Sequence, residues 1–163
     1  MDLFPKILRW LATRPKTVMQ TRYKLIEWGC DEAYMNEIIE QLIKKKYLDD
    51  EAYVQAWIYS DCIKKGKNPS LLYGKLKPKG IDPSLIETLV LRYQDEIGEG
   101  RRGQLVRLIR MHLRKGTNKQ SMIISCQRQG FFFSQICEVC DELGVYQDVS
   151  PRSGGIVWSP SRG

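Results

Sequence analysis

Three glycines divide this chain. Gly29, Gly80 and Gly130 are spaced by 51 and 50 residues, and each stands where one helical pattern stops and the next begins. Four residues before them stand Leu25, Leu76 and Cys126; one residue after stand Cys30, Ile81 and Phe131. Six after come Met35, Ile86 and Ile136, and nine after come Ile38, Leu89 and Val139. All of these are apolar in a chain that is only 42% apolar, so the spacing marks an internal repeat. Glycine suits the closing position of a helix because the left-handed backbone costs it nothing sterically. Asp31 and Asp82 then cap the following helices, with Pro83 suited to a first turn. In the third unit Phe132 holds the capping offset, and Ser134 is expected to cap a helix that starts later.

A repeat of this length holds three short helices. Apolar residues recur at three- and four-residue steps in Met35, Ile38, Ile39, Leu42, in Leu85, Ile86, Leu89, Val90 and in Leu105, Leu108, Ile109, with His112 at the end of that row. Sustained alternation is missing. The pattern predicts helices over 3–12, 17–28, 32–46, 50–65, 69–79, 83–97, 99–115, 118–129 and 134–143, with Pro78 ending or bending the fifth. The expected fold is all-α: three tandem three-helix repeats, over 1–47, 48–98 and 99–143, stacked into an elongated, curved array. Stacking is needed because each trio alone buries too little apolar surface. Residues 144–163, rich in Ser, Pro and Gly, are expected to form a disordered tail, with no place assigned to Trp158.

The net charge of +7 is unevenly placed. Residues 64 to 81 carry Lys64, Lys65, Lys67, Lys75, Lys77 and Lys79 without an acid. Residues 100 to 137 carry Arg101, Arg102, Arg107, Arg110, Arg114, Lys115, Lys119 and Arg128, again without one. Basic runs of this length exceed what solubility requires and attract polyanions or acidic surfaces. Between two helices, the segment Lys64-Lys65-Gly66-Lys67, together with the amides opening the next helix, suits a phosphate or a carboxylate, and Tyr59 and Tyr73 flank it.

Catalytic signatures are absent: no phosphate-binding glycine loop, zinc-protease motif or nucleophile elbow occurs, and His112 is the one histidine. Asp49-Asp50-Glu51 reads as a helix cap rather than a metal site. His112, Cys126, Cys137 and Cys140 have the ligand types for zinc, but Cys126 falls on a buried repeat position, and buried cysteines explain the set without a metal. No cofactor, metal or enzymatic activity is expected. With no apolar run near the ~18 residues of a membrane span, no leader-like start and five cysteines, a monomeric cytoplasmic protein is expected.

Arg14-Pro15-Lys16-Thr17, Tyr23-Lys24-Leu25, Trp28-Gly29-Cys30 and Tyr47-Leu48-Asp49-Asp50-Glu51-Ala52-Tyr53 resemble, in order and spacing, the RecX regulatory proteins. Gly66-Lys67-Asn68-Pro69, Lys79-Gly80-Ile81 and Arg128-Gln129-Gly130-Phe131 extend the resemblance over residues 11 to about 143. Thr17 replaces the usual Ser, and Pro78 and the pair Phe132-Phe133 also depart from the pattern. The resemblance implies a non-enzymatic regulator of DNA recombination, repair and the SOS response. Such a protein binds the RecA recombinase filament on single-stranded DNA and restrains its ATP hydrolysis and strand exchange. On that reading Lys64, Lys65, Lys67, Lys75, Lys79, Arg101, Arg102, Arg107, Arg110 and Arg114 form the surface toward partner or DNA. The alternative is a helical module that binds DNA or RNA directly through the same basic surface.

Overall fold

Most helices here open on a short polar side chain that accepts a backbone N–H, which fixes where each begins. Thr17, Asp31, Asp49, Asp82 and Asn118 fill this role for the helices Val18–Glu27 (α2), Glu32–Lys44 (α3), Asp50–Trp57 (α4), Pro83–Arg92 (α6) and Lys119–Arg128 (α8). The remaining helices are Phe4–Leu11 (α1), Leu71–Leu76 (α5), Gln94–Lys115 (α7) and Phe133–Leu143 (α9). In α9 the residue at the cap position is Phe132, which has no oxygen to offer. The Gln135 side chain instead accepts from the Phe132 N–H at 2.8 Å, and Ser134 lies inside the first turn rather than capping it. The computed structural model describes residues 2–147, and all regular structure in them is helical. Most of the expected tail, including Trp158, lies outside the described residues. Its first residues are packed: Val145 and Tyr146 lie against an apolar core, and the Tyr146 hydroxyl donates to the Thr117 carbonyl at 2.7 Å.

Helix ends repeat as regularly as helix starts. Gly29, Gly80 and Gly130 have φ of +77°, +82° and +91°. Behind each, the next residue's N–H reaches back five residues: Cys30 to the Leu25 carbonyl, Ile81 to Leu76 and Phe131 to Cys126, at 3.0, 3.2 and 3.3 Å. The same bond closes three further helices, at Gly116, at Gly144 and at Lys46, where a lysine adopts φ of +65°. The apolar positions of the repeat are all buried except Cys30, which is half-buried.

Two helices depart from their expected course. The fourth was expected as one α-helix over 50–65, but Ile58–Lys64 form a π-helical turn that places Asp61 and Cys62 inside. The break expected between 97 and 99 occurs instead at Tyr93, and Gly98 and Gly100 are interior to α7. Gly100 is there for close approach. A Cβ on it would run into the carbonyl oxygens of Ile63 and Cys62, which the π-helical turn presents to α7. Pro78 has the expected effect, since α5 tightens into a 3-10 turn over Lys77–Lys79.

The chain divides into two compact units, one ending at Arg101 and the other beginning at Arg102. The first unit holds two apolar cores. One gathers Leu3, Ile7, Leu25, Met35, Ile38, Ile39, Leu42 and Leu48; the other gathers Val54, Ile58, Cys62, Leu72, Leu76, Ile81, Ile86, Leu89 and Ile97. The second unit's core runs from Leu105 through Ile109, Met122, Cys126, Phe131 and Ile136 to Cys140.

Within the first unit the first turn of α2 joins the two cores. The Thr17 hydroxyl, fully buried, accepts from the Gln20 N–H and donates to the Lys79 carbonyl at 2.6 Å. The Val18 N–H donates to Asp50 Oδ1 at 3.0 Å, so adjacent acids cap different helices: Asp49 its own, Asp50 its neighbour. Burial holds the Asp50 carboxyl above its ordinary pKa. Gly80 leaves the space that Met19 fills. Thr17→Val removes both the cap and the donor to a carbonyl, and is expected to cost about 2 kcal/mol of unfolding free energy in urea titrations. Thr17→Ser keeps the hydroxyl and is expected to cost less than about 1 kcal/mol.

Candidate functional site

The two basic runs use their charges differently. Lys64, Lys65 and Lys67 are exposed, on the end of the π-helical turn and the loop after it. The loop itself is pinned from below: the Lys67 N–H donates to the Asp61 carbonyl at 2.8 Å, and Arg101 Nη1 donates to the Gly66 carbonyl at 3.0 Å. Lys75 gives its ammonium to Asp61 Oδ2 at 2.6 Å. That hydrogen bond raises the lysine's pKa and balances a carboxylate that is almost wholly buried. Lys75 and Arg101 thus hold the loop in place, while the three loop lysines face solvent. The amides opening α5 do not make the expected anion site. Ser70 N–H donates to Asn68 Oδ1, and the Leu71 and Leu72 N–H groups donate to the carbonyls of Asn68 and Pro69.

In the second unit Arg102 is ion-paired with Glu142, both half exposed. Arg107, Arg110 and Arg114 recur at three- and four-residue steps on one face of α7, and all are exposed. His112 is on the opposite, buried side. Cys126 is buried, with its thiol 3.8 Å from the Met122 sulfur, and burial pushes that thiol up to about 11. Cys62, in the first unit, is likewise pushed up to about 11. Thiols held protonated by burial are poor nucleophiles and poor metal ligands. Among the described residues no group of three or more His, Cys, Asp or Glu could hold a metal ion.

One site escaped the sequence reading. In the first unit a cleft of about 340 Å³ is lined by Arg14, Pro15, Lys16 and Gln20 on one side and by Tyr53, Ala56, Trp57 and Ser60 on the other, with Lys79 beside them. Trp57 is half-buried, and the ammonium groups of Lys75 and Lys79 lie 5.3 and 5.7 Å from its ring centre. Lys16 is structural. Its ammonium donates to the carbonyls of Trp10 and Arg14 and to Thr13 Oγ1, which uses all three donors, and burial lowers its pKa. Arg14 and Lys79 are therefore the cations that the cleft can offer. Only Lys79 was legible as a site residue, because the other lining residues come from segments without a charge run.

Lys75 and Lys64 lie in one basic run yet differ in what they hold, and stability separates them. Lys75→Met leaves the Asp61 carboxylate buried without its ammonium and is expected to cost about 2 kcal/mol or more. Lys64→Met is expected to stay within about 0.5 kcal/mol of the parent. Chemical unfolding of both variants checks the contrast.

No family model matches the chain. It is similar to proteins named Regulatory protein RecX: 27% identical over 148 residues to that of Bacillus licheniformis, covering 89% of this chain and 56% of that protein. To that of Bacillus subtilis it is 25% identical over 149 residues, covering 89% and 56%. A shorter match to that of Leuconostoc mesenteroides reaches 32% over 89 residues, covering 55% and 33%. The chain spans about half the length of the Bacillus relatives it matches. Its fold matches the crystal structure of RecX from Lactobacillus salivarius with a TM-score of 0.69 at 21% identity, over 86% of this chain and 94% of that one. A second crystal structure, of regulatory protein RecX, matches with a TM-score of 0.62 at 20% identity, over 85% and 71%. In sequence and in fold alike, this all-α chain matches the RecX proteins.

Proposed function

We propose that this chain is a cytoplasmic, monomeric regulator of the RecA recombinase, without chemistry of its own, that binds the recombinase filament on single-stranded DNA and restrains its ATP hydrolysis and strand exchange. The observation that carries the reading is similarity to RecX proteins over 89% of the chain. On this reading the repeats span 1–47, 48–98 and 99–143. The three separate apolar cores and the matching helix closures support that division. The surface toward the filament uses exposed cations, Lys64, Lys65 and Lys67 on one unit and Arg107, Arg110 and Arg114 on the other. Exposed cations attract acidic protein surface and phosphate from a distance, and each contributes little by itself in salt.

RecA ATPase on single-stranded DNA, measured with rising amounts of this protein, tests the reading. Suppression is expected, and the triple variant Lys64→Glu, Lys65→Glu, Lys67→Glu is expected to need at least about tenfold more protein for the same suppression, because repulsion replaces attraction at the contact. Unchanged ATPase at saturating protein would overturn the reading. A folded triple variant as potent as the parent would move the contact to the arginine face.

A further inference from the structure

We propose that the cleft of Arg14, Gln20, Tyr53, Trp57, Ser60 and Lys79 is a seat for one nucleotide, with its phosphate on Arg14 and Lys79 and its base against Trp57 or Tyr53. This site does not depend on the recombinase reading: its ligand is a nucleotide, either free or within a single strand.

Four features support the assignment. The volume of about 340 Å³ is at the small end of the range for small-ligand sites, and larger than one aliphatic side chain of a protein partner needs. The lining contains two available cations and no carboxylate. The Lys79 ammonium lies over the Trp57 ring, 5.7 Å from its centre, so a cation and a flat π surface are already adjacent, as a phosphate and its base require. The Gln20 amide and Ser60 hydroxyl can both donate and accept, which suits the polar edge of a base but does not choose among bases. The site is also held rigid without a ligand. The Thr17 bond to the Lys79 carbonyl and the Asp50 bond to the Val18 N–H fix one wall against the other. An acidic peptide could meet the cations, but it would leave the two rings and the breadth of the cleft without a purpose.

The test uses the full chain without recombinase. Binding of a fluorescein-labelled oligothymidylate is followed by fluorescence anisotropy across a series of salt concentrations, with thymidine monophosphate and polyglutamate as competitors. Trp57→Leu is expected to weaken strand binding about tenfold while leaving the salt dependence unchanged, since stacking releases no counterions. Arg14→Ala with Lys79→Ala is expected to lower the slope of log affinity against log salt by about 1.4, the loss of two phosphate contacts on a single strand. Thermal melts of the variants establish that each is folded. Competition by the monophosphate, lost in the same variants, identifies the nucleotide itself as ligand. Strand binding without such competition identifies the nucleotide within a strand. Strand binding that is insensitive to Trp57→Leu, or equal competition by polyglutamate, would reduce the cleft to part of a general basic surface and overturn the proposal. So would an absence of strand binding at low salt together with no binding of thymidine monophosphate by titration calorimetry, whereas monophosphate binding alone, lost in the same variants, identifies the free nucleotide as ligand.

Discussion

The first turn of α2 holds the first unit together. One buried hydroxyl, that of Thr17, caps its own helix and donates to the Lys79 carbonyl, while the next N–H is taken by Asp50 from the start of α4. These bonds join the two apolar cores of the unit. They also set the cleft, because its walls come from the segment before α2 on one side and from α4 with its π-helical turn on the other. A hydrogen bond of this kind contributes about 1 kcal/mol when made, but leaving a buried carbonyl without a donor costs more. The geometry of the cleft therefore rests on a few polar atoms, and the apolar cores supply the bulk of the stability on either side of them.

Cations divide by the same logic. Lys16 closes the end of α1, Lys75 balances Asp61 and Arg101 ties down the Gly66 carbonyl. Each is part of the scaffold. The loop that carries Lys64, Lys65 and Lys67 is shaped by two of these, Lys75 and Arg101. A chain this basic attracts anions as a whole, yet the charges able to select a partner are fewer than the composition implies.

Much of the fold was legible because it is written in backbone chemistry. A glycine at +φ, an apolar residue after it and an aspartate cap are local requirements, and Gly29, Gly80, Asp31 and Asp82 meet them in order. What was hidden depended on neighbours distant in sequence. The break was expected between 97 and 99, whereas the helix runs on through Gly98, and Gly100 admits the carbonyls of a π-helical turn nearly forty residues earlier. Asp50 read as a local cap and serves α2 instead. Ser134 read as a cap because the hydroxyl suits one, but Gln135 reaches back to the Phe132 N–H from the following position. The cleft was hidden for the same reason. Arg14 and Trp57 share no run, motif or period, and only the docking of α2 brings them to one place.

Native-state hydrogen exchange over the first unit measures that docking most directly. If the first turn of α2 makes one body of two cores, the slowest amides of α3, around Ile38 and Leu42, and those of α6, around Ile86 and Leu89, share one opening free energy and lose it together as denaturant is added. Two distinct opening free energies, with α6 exchanging while α3 stays protected or the reverse, would mean that the cores open independently and that the cleft between them is not held by the contacts described.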